Sequence, residues 1–595
     1  MRKCISLLRT KKFHKPVASG IFTLVDNAKL LGYNNKVMSQ TISRPLSDFL
    51  DPATQAKAGI IEIRQGSHIF KATEGVPSSV HINTLEYDSR SVKPGSLYFA
   101  LPGLHADGHD YIHDAIKRGA IAVVHQNDLS EYSEGIVFIK VKNSRFAMSP
   151  IADAFNDYPS RRMTIIGVTG TEGKSTTVCL IHQLLTLAGK KAGFISTVMQ
   201  GDGINVNWTA EHQTTPEATA THMRLAEMYR NGAEYAVLES SSHGLSKRTN
   251  RLGDVAFDVG VMTTVAHDHL EFHGSWEQYR YDKAELFRAL DTSPHKKQGL
   301  SGDFTVPAFG VANADDPSAD YFAAATKHRT YTFSTKGAKA DLSVKSIKSS
   351  SDGNEYEVTA SSGRTVPGRD VSGAEISNNE IFTIKDELPG AFNAGNVLAA
   401  LLVVSKLLSM EIIDLIPHVR NLKPIRGRMT SVCLGQPFEV IVDYAHTPSS
   451  FEAIYPSLRE RLNASGGRII SLTGSAGERD TKKRPQQGEI AARYSEIVLL
   501  ADEDPRSEVP MTILEEIAAG CEKENHMKRN ENLFLMPDRP EAIRKAFSLA
   551  RKGDLVLLLG KAHENSIIYK DFTLPYDEIN EAEKALREMG YSGNL

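Results

Sequence analysis

Gly170, Thr171, Glu172, Gly173, Lys174, Ser175 and Thr176 stand between an apolar run and a helix-forming stretch, and together they have the make-up of a phosphate loop. Glycine lets backbone N–H groups come close to phosphate oxygens, and the first turn of the following helix adds partial positive charge. Lys174 can neutralise β- and γ-phosphates, and Ser175 can ligate Mg²⁺. The strict pattern has glycine six residues before the lysine; that position is Val168 here, so the loop is a variant. The plainer alternative is a glycine turn that caps a structural helix. The strand-like residues before the loop and the Lys-Ser-Thr within it favour nucleotide binding.

Two further clusters suit the same chemistry. Glu239 ends the run Ala236-Val237-Leu238 and is followed by Ser240, Ser241, Ser242 and His243. A carboxylate at the end of a neighbouring strand can hold Mg²⁺ opposite a phosphate loop, or it can simply cap a turn. Downstream come Asp268, His269, Leu270, Glu271, Phe272, His273 and Gly274, then Lys283 on a predicted helix. A solitary histidine is more often structural than a ligand, but this cluster follows a strand of the same predicted sheet.

Positioning such groups takes strands and helices in a particular order. Residues 163–168 predict a buried strand, 170–173 a turn and 175–188 a helix, with further strands over 235–238 and 259–264. That order opens a parallel α/β domain. Upstream, strands over 96–101 and 121–125 and a helix over 111–118 form an earlier domain. Residues 349–379 are polar and read as an excursion of hairpins or loops; 389–408 resume as loop and apolar helix. Past Arg428, strand-like runs at 438–442, 468–472, 496–501, 532–536 and 555–559 alternate with helical stretches, which means a second, mostly parallel sheet. Ligands of such sheets bind at the carboxyl ends of strands, and the informative residues fall there.

The expected architecture is α/β with three domains. A small N-terminal α/β domain covers 41–160, a central P-loop ATPase-like parallel-sheet domain 161–424, and a C-terminal Rossmann-like α/β domain 425–595. A tail over 1–40 precedes them. In it Arg2, Lys3, Arg9, Lys11, Lys12 and Lys15 come before the first acid, Asp26. The tail resembles an organellar transit peptide, but the plainer reading, a disordered basic extension or an upstream start with Met38 as another start, is preferred.

Composition bounds the function. The 595 residues are 41% hydrophobic and 24% charged, and 69 basic against 72 acidic side chains leave a net charge of −3. So balanced a surface argues against a nucleic-acid or membrane-surface binder. Cys4, Cys179, Cys433 and Cys521 are scattered, which excludes a disulfide scaffold and a cysteine zinc site and fits a reducing cytoplasm. The longest apolar run, 397–404, is far short of a membrane span.

In order and spacing these motifs resemble the Mur ligases, ATP-dependent amide-forming enzymes of peptidoglycan precursor synthesis, over about residues 80–590. The resemblance points to the members that add a diamino acid to UDP-N-acetylmuramoyl-L-alanyl-D-glutamate. It implies that Ser89, in Asp88-Ser89-Arg90, and Leu104, His105 and Ala106 hold the uridine nucleotide. It implies that Thr214, Thr215 and Ser241 meet the muramoyl-dipeptide, with an arginine that is Arg248 or, by register, Arg251. The family asparagine before Asp268 is Thr264 here. Lys174, Glu239, His269 and Lys283 are the implied catalytic set, and Ser175, Glu239, His269 and Lys283 the implied Mg²⁺ side. Lys283 matches the lysine that reacts with CO₂ to give a carbamate; a cation would repel Mg²⁺, whereas a carbamate is an anionic oxygen ligand.

Asn313 and Asn393 match segments near ATP, and either could be a simple turn or helix start. Arg428, Asp443 and His446, in Gly427-Arg428-Met429 and Asp443-Tyr444-Ala445-His446-Thr447-Pro448, are implied on the nucleotide side. Arg479, Glu503, Asp504, Pro505, Arg506, Gly560 and Glu564 are the implied amino-acid contacts. Glu478, Asp504 and Ala562 depart from the family's Asp, Asn and Gly. An ionised Asp504 beside Glu503 would repel a distal carboxylate, which favours L-lysine or L-ornithine; Arg506, retained, favours meso-diaminopimelate.

The implied chemistry is attack of an acceptor carboxylate on the γ-phosphate, then displacement of phosphate from the acyl phosphate by the amine. It needs Mg²⁺, ATP, the UDP-N-acetylmuramoyl-dipeptide and a diamino acid, with no nucleic acid and no membrane, in a cytoplasmic monomer. The rivals are a folylpolyglutamate or other Mur-type ligase, a non-catalytic scaffold relative, and a plain P-loop kinase; the last leaves the C-terminal motifs unexplained.

Overall fold

The computed structural model describes residues 43–70, 75–103, 106–208, 213–266, 270–350, 353–361, 379–463 and 466–593. The basic tail with Met38, Leu104, His105, Asp268 and His269 lie outside the described residues.

In the N-terminal part, six strands pair in the order His68–Phe70, Ile60–Gln65, Val137–Val141, Ala120–His125, Ser96–Phe99, Thr84–Glu86. The last four run parallel, and Ile60–Gln65 is antiparallel to both its neighbours. The helix expected at 111–118 begins as a tight turn, Gly108–Tyr111, and becomes helical at Ile112–Lys117. The Asp107 side chain accepts from His109 N and so favours the tighter start.

The central sheet has eleven strands. In order they are Val206–Trp208, Met199–Gly201, Ala192–Ile195, Tyr235–Glu239, Thr164–Thr169, Val259–Met262, Phe309–Asn313, Thr330–Ser334, Leu342–Ser350, Gly353–Ser361 and Asn379–Asp386. Ala192–Ile195 through Leu342–Ser350 are parallel, and the two strands at each edge are antiparallel additions. Both faces are covered, so the middle strands are apolar throughout rather than alternating. Ile166 and Val168 point to one side, where the helices Lys174–Leu187 and Asn393–Leu408 pack. Met163 and Ile165 point to the other, among residues of Ala218–Arg230 and Trp276–Leu290.

The polar excursion is therefore partly sheet. Gly353–Ser361 and Asn379–Asp386 pair with register along eight positions. In Gly353–Ser361 buried and exposed residues alternate, Tyr356 and Val358 facing in and Glu355 and Glu357 out. A strand with one wet face reads as polar when scanned for apolar runs.

The C-terminal sheet follows the order Thr430–Ser431, Glu439–Asp443, Leu555–Leu559, Ile469–Thr473, Ile497–Leu500, Leu533–Leu535, parallel except for the first pair. Leu555–Leu559 is buried throughout and sits inside the sheet, as its unbroken aliphatic run requires. The three α/β layers match the expected fold class. Among the described residues no helix is long and apolar enough to cross a membrane.

Candidate active site

The phosphate loop leaves the strand Thr164–Thr169 and enters the helix Lys174–Leu187, where the sequence placed it. Gly170 has φ 148°, and a Cβ there would lie 1.9 Å from Thr263 Oγ1. Gly173 has φ 83°, and its Cβ would lie 2.6 Å from Asn396 Oδ1. Both positions exclude side chains, so only glycine lets the backbone turn this tightly into the helix N-terminus. The next strand braces the loop: Thr171 N donates to the Thr264 carbonyl at 2.6 Å, and Thr263 Oγ1 donates to the Glu172 carbonyl at 2.5 Å. Thr264 Oγ1 accepts from Glu172 N at 3.4 Å, so the residue that departs from the family pattern still supports the loop.

Charged groups gather at this turn. Ser175 Oγ donates to Glu239 Oε1 at 3.0 Å, and Thr197 N donates to the other Glu239 oxygen at 2.8 Å. Lys174 Nζ donates to the Thr171 carbonyl at 2.9 Å. Lys283 is 1% exposed; its Nζ donates to the Gly170 carbonyl at 2.6 Å and lies 4.5 Å from the centre of the Tyr279 ring. Tyr279 Oη in turn is 3.0 Å from Thr171 Oγ1. Thr176 is buried beneath the loop.

Asn313 and Asn393 stand further back. Asn313 Oδ1 accepts from Asp315 N, which stiffens the turn after its strand. Asn393 Oδ1 accepts from Asn396 Nδ2 at 2.9 Å, and Asn396 Oδ1 accepts from Thr177 Oγ1 at 3.1 Å. Asn396, one helical turn from Asn393, is thus the residue that reaches the loop.

On the acceptor side, Ser241 caps the short helix Ser242–Leu245 and lies 2.9 Å from Thr215 Oγ1, whose oxygen also accepts from Ser241 N. Thr214 is half-buried beside it. Arg251 donates to the Thr215 carbonyl at 3.0 Å and pairs with Glu217 at 2.9 Å. Arg248 donates to the Phe272 carbonyl instead. Arg251 therefore shapes the Thr215 turn. Ser89, in a turn capped by Asp88, and the exposed Ala106 belong to the N-terminal domain.

The C-terminal domain closes over the loop. Arg428 Nη2 donates to Ser175 Oγ at 3.2 Å, and Thr447 Oγ1 donates to Glu172 Oε1 at 3.2 Å. Asp443 is buried, accepts from Met429 N and Ala445 N at 2.7 Å each, and burial raises its pKa above the usual carboxylate range. It builds the turn that presents Arg428 and His446; His446 bonds within that turn through the Tyr444 carbonyl.

Amino-acid candidates gather at the ends of two adjacent regions. Lys561 Nζ bonds Asp504 Oδ1 at 2.8 Å and also Glu564. Asp504 further accepts from Ile568 N at 3.0 Å. Burial opposes charge on Lys561, but the carboxylates of Glu564 and Asp504 raise its pKa on balance. Burial pushes Glu564 up. Glu503 is 6% exposed with Oε2 unpartnered, and a Cβ on Gly560, at φ 102°, would lie 2.9 Å from that oxygen. Pro505 is buried, and Arg506, at φ 55°, has a buried Nε with no partner. Arg479 stands exposed at the rim. Asp504 is thus already neutralised by Lys561, which the sequence did not foresee. Asp502, also unforeseen, accepts from Tyr569 Oη at 3.0 Å, and burial pushes its pKa up to about 6.

The Mur ligase family catalytic domain matches residues 81–156, the Mur ligase middle domain 168–404, and the Mur ligase glutamate ligase domain 427–562. The chain is 50% identical over 524 residues to the UDP-N-acetylmuramyl-tripeptide synthetase of Treponema denticola, covering 85% of this chain and 94% of that one. It is 35% identical over 509 residues to a UDP-N-acetylmuramoyl-L-alanyl-D-glutamate–2,6-diaminopimelate ligase of Geobacillus thermodenitrificans, covering 85% and 95%. In fold it is similar to a solved ligase of that second kind, with TM-score 0.53 and 24% identity over 87% of this chain and 97% of the other. It is similar also to MurF of Acinetobacter baumannii, with TM-score 0.59 and 15% identity over 92% and 99%. The chain belongs to the Mur ligase family and is an ATP-dependent, amide-bond-forming ligase of peptidoglycan precursor synthesis.

Proposed function

We propose that the chain joins a diamino acid to UDP-N-acetylmuramoyl-L-alanyl-D-glutamate, with residues 41–160 holding the uridine end, 161–424 the ATP and 425–595 the amino acid. The observation that carries this is the meeting of Ser175, Glu239 and Lys283 around one phosphate loop, with Arg428 reaching in from the next domain. A folylpolyglutamate-type ligase shares that loop but leaves the segment around Ser89 and residues 503–506 without a task.

The donor set fits Mg²⁺. A hydroxyl and a carboxylate oxygen already sit 3.0 Å apart, both hard oxygens, at the loop where γ-phosphate would lie. Ser175 and Glu239 would hold the ion, with His269 and Lys283 as the other candidates. When bound, Mg²⁺ neutralises charge on the transferring phosphoryl group. Lys283 suits carbamylation by CO₂ because the carbamate nitrogen keeps one N–H, so the Gly170 carbonyl would stay satisfied.

The protein's own work is positioning. The loop amides and Lys174 hold the phosphates. Thr215 and Ser241 hold the acceptor so that its carboxylate oxygen faces the γ-phosphorus. Its attack forms an acyl phosphate and releases ADP; the amine then adds to the acyl carbon, and phosphate leaves. Closure of the C-terminal domain keeps water from the acyl phosphate.

The amino acid is the finer question. Glu503, Asp504 and Glu564 against Lys561 leave the lining acidic, which favours the distal ammonium of L-lysine or L-ornithine. The unpartnered Arg506 Nε is the observation on the other side, since a distal carboxylate of meso-diaminopimelate would satisfy it. ADP release with UDP-N-acetylmuramoyl-dipeptide and each of the three amino acids tests both statements. No turnover with any of them refutes the function; the ratio of kcat/KM values assigns the substrate. Lys283→Ala should nearly abolish ligation and regain part of it with a short carboxylic acid in the buffer, while full activity refutes the carbamate.

A further inference from the structure

Ser242, His273 and Asp282 form a chain of side chains that the reaction outlined above does not use. His273 Nδ1 lies 2.7 Å from Asp282 Oδ2, and His273 Nε2 lies 3.0 Å from Ser242 Oγ. Gln278 Nε2 donates to the second Asp282 oxygen at 2.9 Å, so the carboxylate is fixed from two directions. The three residues are 2%, 3% and 3% exposed. Serine, histidine and aspartate in this order activate a nucleophile in hydrolases. Here the serine oxygen is sealed in, so no carbonyl can reach it and the chain acts as a tie.

The two ends of the tie give it meaning. Ser242 directly follows Ser241, in the turn read as holding the acceptor, and Asp282 directly precedes Lys283. The intervening ring is wedged against Tyr279 and Phe272, with centroids 5.2 and 4.7 Å away. Gly244 in the same short helix has no room for a Cβ, which would lie 2.5 Å from Thr215 Cγ2, so this helix cannot drift from the Thr215 turn either.

We infer that His273 is a positioning residue: through Ser242 and Asp282 it fixes the spacing between the acceptor turn and the helix that carries Lys283, and hence the alignment of the acceptor carboxylate with the phosphoryl group. This rests on the roles proposed for Ser241 and Lys283. An error of about 1 Å in such an alignment costs on the order of 10²-fold in rate.

Ser242→Ala removes one oxygen, and His273→Gln keeps a polar side chain without the two-ended reach. In the full-length enzyme each should lower kcat on the order of 30- to 100-fold, with KM for ATP unchanged within about twofold, because the phosphate loop is untouched. The double variant should be no slower than the slower single one, as expected for members of one tie. Thermal unfolding of the same samples separates alignment from folding. Singles with at least half the kcat, or losses that multiply in the double variant, would overturn the inference. So would a loss of kcat matched by a rise in KM for ATP. Should His273→Gln fail to fold, Ser242→Ala decides by the same criteria. Lys283→Ala run alongside keeps the two questions apart. If it is fully active, the reading of Lys283 fails; if it is dead while Ser242→Ala and His273→Gln are fast, only the tie fails.

Discussion

The phosphate end and the amino-acid end of this cleft are built on opposite plans. At the phosphate end the groups hold one another. Lys174 and Lys283 bond loop carbonyls, Ser175 bonds Glu239, and Thr263 and Thr264 brace the turn from the neighbouring strand. At the amino-acid end valences stay open: Asp502 Oδ1, Glu503 Oε2 and Arg506 Nε are buried without partners. Leaving such atoms unpaired costs about 1–3 kcal/mol each, which an incoming ligand can recover. A step shared by every reaction of the family can be pre-assembled. A step that must choose among amino acids gains discrimination by leaving groups for the correct one to complete.

The most severe way to break this contrast is to remove a member of the pre-assembled end. Lys174→Met should lower kcat on the order of 10²–10³-fold while leaving KM for the amino acid alone. A comparable rise in that KM would show that the two ends are not separate. At the selective end, Asp504→Asn should shift kcat/KM toward meso-diaminopimelate about tenfold relative to L-lysine, equivalent to ~1–2 kcal/mol, since Lys561 keeps Glu564 as partner and the fold is spared. An unchanged ratio would mean that pairing with Lys561 has already removed Asp504 from substrate choice.

A smaller effect concerns stability. Burial raises the Asp502 carboxyl to about 6 from 3.8. The folded protein keeps that proton to higher pH than the unfolded chain, so this group's contribution falls as pH rises from about 4 to about 6 and is level above. Asp502→Asn should remove that decline, seen as a urea midpoint at about pH 7 that lies higher, relative to the midpoint at about pH 4, than in the unmodified protein. The smallest effect is expected from a chain that starts at Met38, whose kcat and KM values should equal those of the full chain, because every matched motif lies downstream.

Much of this was legible in the sequence where backbone and chemistry coincide. The loop at 170–176, the carboxylate Glu239 and the strand Leu555–Leu559 fall where their residue types placed them, since glycine spacing and unbroken aliphatic runs are local signals. What escaped is what distant residues do to one another. Asp504 and Lys561 are 57 positions apart, and Thr177 and Asn396 are 219 apart. No local pattern announces either pair. Asn396 had one available signal, its i+3 spacing from Asn393 on the same helix face. Residues 349–379 read as hairpins or loops; the structure makes the hairpin of Leu342–Ser350 and Gly353–Ser361, and the alternating faces of Gly353–Ser361 hid its strand from a search for apolar runs. His269, Leu104 and His105 remain expectations of the family resemblance.

The eleven-stranded sheet has a practical use. Its order places Thr164–Thr169 fifth and Asn379–Asp386 eleventh, six positions apart. At about 4.8 Å per strand the last edge lies about 29 Å from the phosphate loop. Anyone wishing to graft a fluorescent reporter or an affinity handle onto this enzyme has a natural attachment point on the edge strand itself, at Ile381, which is 56% exposed. There the added mass would hang from a hairpin edge rather than from a strand whose end does chemistry.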